Sequence, residues 1–216
     1  MRLLIFIFLS LILFSCYDKP ANTSDESFKE EMKEREIKKV SDGAIIEAAM
    51  QRGNIIADSA QKLLGSSLKK AIAEGGVQNA VKYCNLAAYP IMDSIESHFG
   101  VEVKRASLKV RNPEDNPDEL EKQLLEAYQY QIDIDDKLSA NIQRDGEEYL
   151  LYTKPITIEN ALCLKCHGEV GKYLKEEDYQ LIKTLYPHDN AVGHQMGDLR
   201  GMWSIRISKK EIIKNL

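Results

Sequence analysis

One short run constrains this chain more than any other: Cys163, Cys166 and His167 form a C-x-x-C-H sequence. This pattern is the attachment signature of c-type haem. Residues three apart share a face of a helix, so both sulfurs can reach the two vinyl groups of one porphyrin. The adjoining histidine then lies under the ring with a nitrogen directed at the iron. The run predicts one covalently attached haem c with His167 as an iron ligand.

Two other chemistries use paired cysteines. A thioredoxin-like redox pair belongs to a strand–helix–strand unit, and no such pattern leads into Cys163. A zinc site needs four ligands, and His167 directly beside Cys166 makes a tetrahedral set awkward. A zinc- or thiol-based structural module is therefore the more distant alternative.

The N-terminus predicts export. Arg2 precedes an almost wholly apolar run over residues 3–14. A bilayer span needs about 20 residues, so this shorter run suits a signal peptide. The run ends at Cys16 in a sequence that resembles a bacterial lipoprotein cleavage site. We expect a signal peptide over residues 1–16, lipid on Cys16, and a tether with a charged spacer over residues 17–42. An ordinary signal peptide with an incidental cysteine is the alternative.

These features predict a membrane-anchored protein of the periplasm or cell envelope, held by its lipid on the surface of the inner or outer membrane. The 216-residue chain has a net charge of −5 and no basic cluster, so we expect no nucleic-acid partner. Of its four cysteines, Cys84 has no remaining disulfide partner once the others are assigned to lipid and haem. A lone thiol in an oxidising compartment needs another role.

Hydrophobic periodicity predicts a single α+β domain over residues 43–216. A first helix over residues 43–74, capped by Asp42, should end at Gly75-Gly76. A second helix, ending at Phe99, should carry Cys84 on its apolar stripe. Pro90 should kink or interrupt this second helix. Alternation predicts strands over 101–107, 149–158 and 202–207, and further helices are expected after Asn116, after Asn160, over 176–185 and after Ser208. The result is helices packed on a small antiparallel sheet.

Several short motifs surround the C-x-x-C-H run in a fixed order. They are Ser107 with Arg111-Asn112-Pro113, Asn116-Pro117, Pro155-Ile156, and the loop Tyr186–Gly193 with Gly197–Gly201. Together with Cys84 they resemble the bacterial c-type haem family domain, long catalogued as a domain of unknown function, over about residues 45–208. The resemblance implies a PAS-like fold with one covalent haem, and redox or small-ligand sensing as its role. Electron transfer is equally compatible with it.

The resemblance also implies that Cys84 is the second axial ligand of the iron. Met196, in a glycine-rich loop, is the alternative, since methionine is the usual ligand in electron-carrier cytochromes. His188 and His194 flank the same loop and are expected to be surface or hydrogen-bonding residues, and His98 to be structural. The two alternatives separate a His/Cys sensor from a His/Met electron-transfer cytochrome.

Haem propionates need cationic donors, and Arg111 is the first candidate, with Arg105 and Arg200 next. The alternative for Arg111 is that it only ties its own loop together. Asp189 and Asp198 are expected to fix loop backbone through Asx-type turns. We find no acid–base set beside the haem motif and expect no enzymatic activity. The expected partners are a redox or signalling protein and a small gaseous ligand.

Overall fold

Four antiparallel strands form the centre of the computed structural model, which describes residues 40–216 apart from the side chains of residues 87–89. The strands are β1 (Glu102–Ala106), β2 (Asn141–Asp145), β3 (Tyr149–Thr157) and β4 (Leu199–Ser208). Their order across the sheet is β1-β4-β3-β2, and every neighbouring pair is antiparallel. The predicted α+β class with a small antiparallel sheet is confirmed.

The hairpin turn and the proline of β3 fit their positions in the sheet. β2 and β3 form a hairpin in which Gly146 has a φ of 65°, a conformation that the Asp145-Gly146 pair favours. The pairing of β2 ends at Thr153, so Pro155 lies where β3 is bonded only to β4. Proline is tolerated there because that part of β3 has a partner strand on one side only.

A long helix, α1 (Asp42–Phe99), packs across the sheet. It consists of two helical halves joined at Gly75 and Gly76, whose dihedrals are non-helical, so the predicted break is confirmed. Ser41, and not Asp42, caps the helix by accepting a hydrogen bond from the backbone N–H of Ala44. The helix continues through Pro90, so the predicted interruption there is wrong, while the alternative of a kink stays a prediction. A proline removes one backbone hydrogen bond, and the buried Met92 and Ile95 anchor the next turn.

The remaining helices are short: a 3-10 turn (Pro113–Asp115), α2 (Glu119–Asp133), α3 (Ala161–His167), α4 (Glu176–Leu185) and α5 (Lys209–Lys214). Asn160 caps α3 as predicted. α2 is capped by Asp118 in a reciprocal capping box with Glu121, and not by Asn116, which ends the 3-10 turn instead.

Two buried clusters connect α1 to the rest of the fold. The main core lies between the sheet and α1, chiefly its first half with the end of its second half, and includes Ile56, Tyr152 and Trp203. A second cluster joins the second half of α1, through Val81, to α4 and to the end of α3, where Cys166 packs against it. This second cluster holds the C-x-x-C-H run against the half of α1 that carries Cys84.

The predicted signal peptide, lipid-bearing Cys16 and most of the tether and spacer lie outside the described residues. The compact unit of the structure begins at Val40. Between residues 40 and 216, no helix combines the length and hydropathy that a bilayer span requires.

Candidate haem site

The two motif cysteines lie on α3, one turn apart. The side chain of Asn160 accepts a hydrogen bond from the N–H of Leu162 at 3.0 Å and starts the helix. Both Cys163 and Cys166 are partly exposed free thiols. Burial raises the pKa of Cys166 to about 11, against the opposing effect of Arg111, so this thiol is protonated at neutral pH. Two thiols on one face, open on one side, suit covalent attachment of one porphyrin.

His167 ends α3 in a defined tautomer. Its Nδ1 lies 2.8 Å from the carbonyl oxygen of Ala191 and therefore carries the proton that it donates there. Burial, together with the charges of Arg200 and Arg111, lowers the pKa of His167 well below its usual value, so the ring is neutral. Nε2 is left with a lone pair, and the Nε–H of Arg200 approaches it at 3.5 Å. A neutral imidazole held by its Nδ1–H is the form that a metal takes as ligand.

Arg111 and Asp189 hold the end of this helix in place. Arg111 donates from Nε to Oδ1 of Asp189 at 3.1 Å, and from Nη2 to Oδ2 at 3.3 Å. The same Nη2 donates to the carbonyl of Cys166 at 2.6 Å and to that of Ala191 at 3.4 Å. The pair is almost fully buried. Arg111 thus bridges the haem motif, the Asp189 loop and the carbonyl that His167 uses.

Asp189 also accepts a hydrogen bond from the backbone N–H of Ala191 at 3.0 Å, which confirms the predicted Asx turn. Its pairing with Arg111 joins residues 78 apart in sequence. Local sequence patterns do not predict such a pair. Asp198 accepts from the N–H of Gln195, three residues earlier, so it fixes its loop in the opposite direction from an Asx turn. Because Arg111 contacts Asp189 and the carbonyl of Cys166, its loop is held against the C-x-x-C-H run and not only against itself.

Arg200 is the second arginine beside His167. Its Nη1 donates to the hydroxyl of Ser107 at 2.7 Å and to the carbonyl of Lys109 at 3.2 Å. Burial and the neighbouring Arg111 and Arg105 lower the pKa of Arg200 to about 10, so it stays charged at neutral pH. The three arginines that the sequence offers as propionate donors therefore lie in one region. Their contact with propionates stays a prediction.

Cys84 lies in the same region. It is partly buried on the second half of α1. Burial raises the pKa of its thiol, while the charges of Arg105 and Arg111 act in the opposite direction. Cys84 is also close enough to Cys166 to raise the pKa of that thiol. The structure thus brings Cys84 to the haem motif although it precedes Cys163 by 79 positions (163 minus 84). Its role as ligand stays a prediction.

The other ligand candidates differ in their surroundings. Met196 is 53% exposed on its loop. His188 and His98 are also exposed, and His98 packs edge-on against Phe99. His194 is only 2% exposed and neither of its ring nitrogens has a hydrogen-bond partner among the described residues. The expectation of a surface or hydrogen-bonded His194 is therefore wrong.

The burial of His194 has a backbone cause. Its N–H donates to the carbonyl of His167 at 2.9 Å, and the N–H of Gly193 donates to that of Gly168 at 3.1 Å. These bonds bring the glycine-rich loop under the end of α3. The two histidine rings meet edge to face with centroids 6.2 Å apart. No sequence pattern around His194 predicts that it is buried against His167.

The donor set bears on which metal group fits. Within residues 40–216, no three His, Cys, Asp or Glu side chains are grouped as metal ligands. A zinc site built from C-x-x-C would need such a group. Covalent haem requires fewer protein groups than zinc: two thiols on one helix face and a nitrogen donor beside them. Cys163, Cys166 and the neutral, oriented His167 meet that requirement.

Fold and site together define an α+β domain with a haem-attachment motif on a short helix. The chain belongs to the Tll0287-like family, because the family profile described as Tll0287 matches residues 21–208. The expected membership in a bacterial haem-protein family is confirmed. The chain is also similar to a solved structure, described as the crystal structure of the cyanobacterial heme-protein Tll0287. The two share 26% sequence identity with a TM-score of 0.50, over 77% of this chain and 93% of that one. No curated protein matches the chain.

Proposed function

We propose that this protein is an exported, lipid-anchored monohaem protein of the c type that acts in redox or small-ligand sensing. Cys163 and Cys166 would hold the haem covalently, and His167 and Cys84 would supply ligands to its iron. Membership in the Tll0287-like family and the likeness to a heme-protein support haem binding. Covalent attachment is inferred from the C-x-x-C-H run of this chain, and the sensing role from the family resemblance together with Cys84.

One observation carries the proposal: His167 follows directly on the two motif thiols and donates its Nδ1–H to Ala191. Nε2, which the Nε–H of Arg200 approaches at 3.5 Å, is then the ring nitrogen that would bind a metal. The bond also fixes the ring's orientation, which Arg111 reinforces through Ala191 and Cys166. Haem, when bound, supplies an iron that changes oxidation state and takes small ligands.

Cys84 supplies the sensing element of the proposal. Its thiol is protonated in its buried setting, and metal bonding removes the proton from a coordinating sulfur. Arg105 and Arg111 stabilise the resulting thiolate. With haem bound, a thiolate from Cys84 would favour ferric over ferrous iron, which would make its bond sensitive to the oxidation state. The half of α1 that carries Cys84, joined to the rest of the helix at Gly75-Gly76, would be the element that responds.

Electron paramagnetic resonance of the oxidised protein tests the ligand opposite His167. We expect a low-spin ferric signal with thiolate character and a low reduction potential. Cys84→Ala should abolish that signal and raise the potential while the haem stays attached, because attachment depends on other cysteines. Met196→Ala, at an exposed loop position, should change neither.

The His/Met electron-transfer cytochrome remains the rival, and the same pair of variants decides between them. An unchanged spectrum and potential in Cys84→Ala, with both altered in Met196→Ala, would establish the electron carrier and refute the sensor.

The lipid anchor is a separate part of the proposal, which rests on Cys16 and the apolar run before it. The wild-type protein should partition into detergent, and Cys16→Ser should release it or leave it unprocessed. A mature wild-type protein that carries no lipid and is free in the periplasm would refute the anchor and leave the haem proposal intact.

A further inference from the structure

A cavity of about 260 Å³ lies on the side of Arg200 that faces α2. Neither motif cysteine lines it. Part of its wall is apolar, formed by Leu108 at the end of β1, Leu125 of α2 and Leu199 of β4. Ligand pockets usually enclose about 300 to 1,000 Å³, so this cavity suits a ligand of only a few carbon atoms.

The polar wall contains a buried donor without a partner. His194 lines the cavity, is 2% exposed, and has no hydrogen bond to either ring nitrogen within residues 40–216. Its nearest carboxylate, Oδ2 of Asp198, is 3.7 Å from Nδ1, beyond hydrogen-bond distance. Leaving a buried polar group unpaired costs about 1–3 kcal/mol. A ligand that accepts a hydrogen bond from this ring recovers that cost.

The charges around the cavity select an anion. Lys109 and Arg200 both line it together with His194. Asp198 is the one carboxylate among the residues lining the cavity. Two cations against one anion leave a net charge of about +1 for the ligand to neutralise.

We propose that this cavity binds a short-chain organic monocarboxylate. Its carboxylate accepts hydrogen bonds from Lys109, Arg200 and His194, and its hydrocarbon chain lies against the three leucines. A divalent anion would exceed the positive charge available, and an inorganic ion would leave the apolar wall without contact. The site uses no haem atom, although Arg200 and His194 also contact His167.

Calorimetric titration of the haem-loaded, full-length mature protein at low ionic strength tests the proposal. The probe is sodium butyrate, with butyramide as the uncharged isostere and sodium chloride as the inorganic anion. We expect butyrate to bind one to one and the other two to show no binding. Lys109→Gln should weaken butyrate about tenfold, as loss of a charged hydrogen bond does. The exposed Lys210→Gln is the matched control and should leave the affinity unchanged.

Three results would overturn the site: no butyrate binding, equal binding by the two lysine variants, or equal binding of butyramide. Binding to the Cys163→Ala/Cys166→Ala protein but not to the haem-loaded one would also overturn it, because the cavity would then hold a carboxylate of the haem itself. The Soret absorption of each sample reports haem loading separately. Failure of the carboxylate site is thereby distinguished from failure of the haem proposal.

Discussion

Arg111 organises the candidate haem site through a single buried guanidinium. It contacts Asp189 and two backbone carbonyls, one belonging to a motif cysteine and one shared with His167. Orientation of a metal-binding histidine depends on such supporting hydrogen bonds. The position of His167 therefore depends on residues far from it in sequence.

Replacing Arg111 should be costly because it leaves the buried carboxylate of Asp189 without its cationic partner. Asp189 is fully buried in this pair, and breaking a buried ion pair costs about 3–5 kcal/mol. We expect Arg111→Met to lower the free energy of unfolding by that amount in urea denaturation. Lys122→Met, which breaks an exposed pair with Glu126, is the control and should cost less than about 1 kcal/mol. Similar costs for the two variants would refute the structural role of the Arg111–Asp189 pair.

His194 should make stability depend on pH. Its folded pKa of about 4 is below its unfolded value of 6.5, so the unfolded chain binds the proton first as the pH falls. Stability from this residue is complete above pH 6.5 and is lost on acidification toward pH 4. The loss reaches up to about 3 kcal/mol. Denaturant titrations should show that the free energy of unfolding decreases less over this pH range in His194→Leu than in the wild-type protein. An identical decrease in the two proteins would be inconsistent with the depressed pKa.

Among single residues, the sequence predicts the roles of those that belong to a short local motif. The two thiols, His167 and the Asn160 cap stand within eight residues (160 to 167), and local spacing is enough to interpret them. Elimination among four cysteines and the family resemblance single out Cys84. The burial of His194 and the pairing of Arg111 with Asp189 depend on tertiary contacts between distant segments, which no spacing rule reports.

Among the elements of the fold, the long helix and the sheet meet at a glycine. A Cβ added at Gly53 would overlap the ring of Tyr152, which is fully buried on β3. The hydroxyl of that tyrosine donates to the side chain of Asn54, on the next position of the helix, at 2.8 Å. Gly53 therefore allows the helix and the sheet to approach closely.

Two glycine variants of the same helix should act in opposite directions. Gly53→Ala should destabilise the protein by about 1–3 kcal/mol, because an overpacked core must shift. Gly65→Ala meets no atom within 4 Å and should stabilise it by up to about 1 kcal/mol through helix propensity. Thermal unfolding of the haem-loaded proteins measures both. Stabilisation by Gly53→Ala would show that α1 does not pack closely on β3.

Elements with strong local signals are predicted well from the sequence and the others are not. Gly75-Gly76 breaks α1 as expected, and α4 has its predicted bounds, Glu176–Leu185. β2 has the sequence NIQRD, which shows no alternation, and it is a strand because the hairpin places it beside β3. Asp118 caps α2 instead of Asn116 because Glu121, three residues later, completes a capping box.

In the molecule as a whole, two distant segments converge on one helix. The second half of α1 brings Cys84 to the end of α3, and the 189–198 loop with the start of β4 brings His194 and Arg200 there. Antiparallel pairing of β4 with β1 and β3 holds the end of that loop against the sheet. The fold thus assembles a candidate haem site. Its proposed attachment residues are neighbours in the sequence, whereas Cys84, His194 and Arg200 come from distant segments.

Mass spectrometry of the denatured protein tests covalent haem attachment. The protein is to be purified from a host that exports it alongside cytochrome c maturation. We predict the mass of the mature polypeptide plus one haem, retained after denaturation. Cys163→Ala and Cys166→Ala should each reduce or abolish that retention, while Cys84→Ala should keep it. A fully matured wild-type sample that shows only the mass of the haem-free polypeptide would refute attachment at the C-x-x-C-H run.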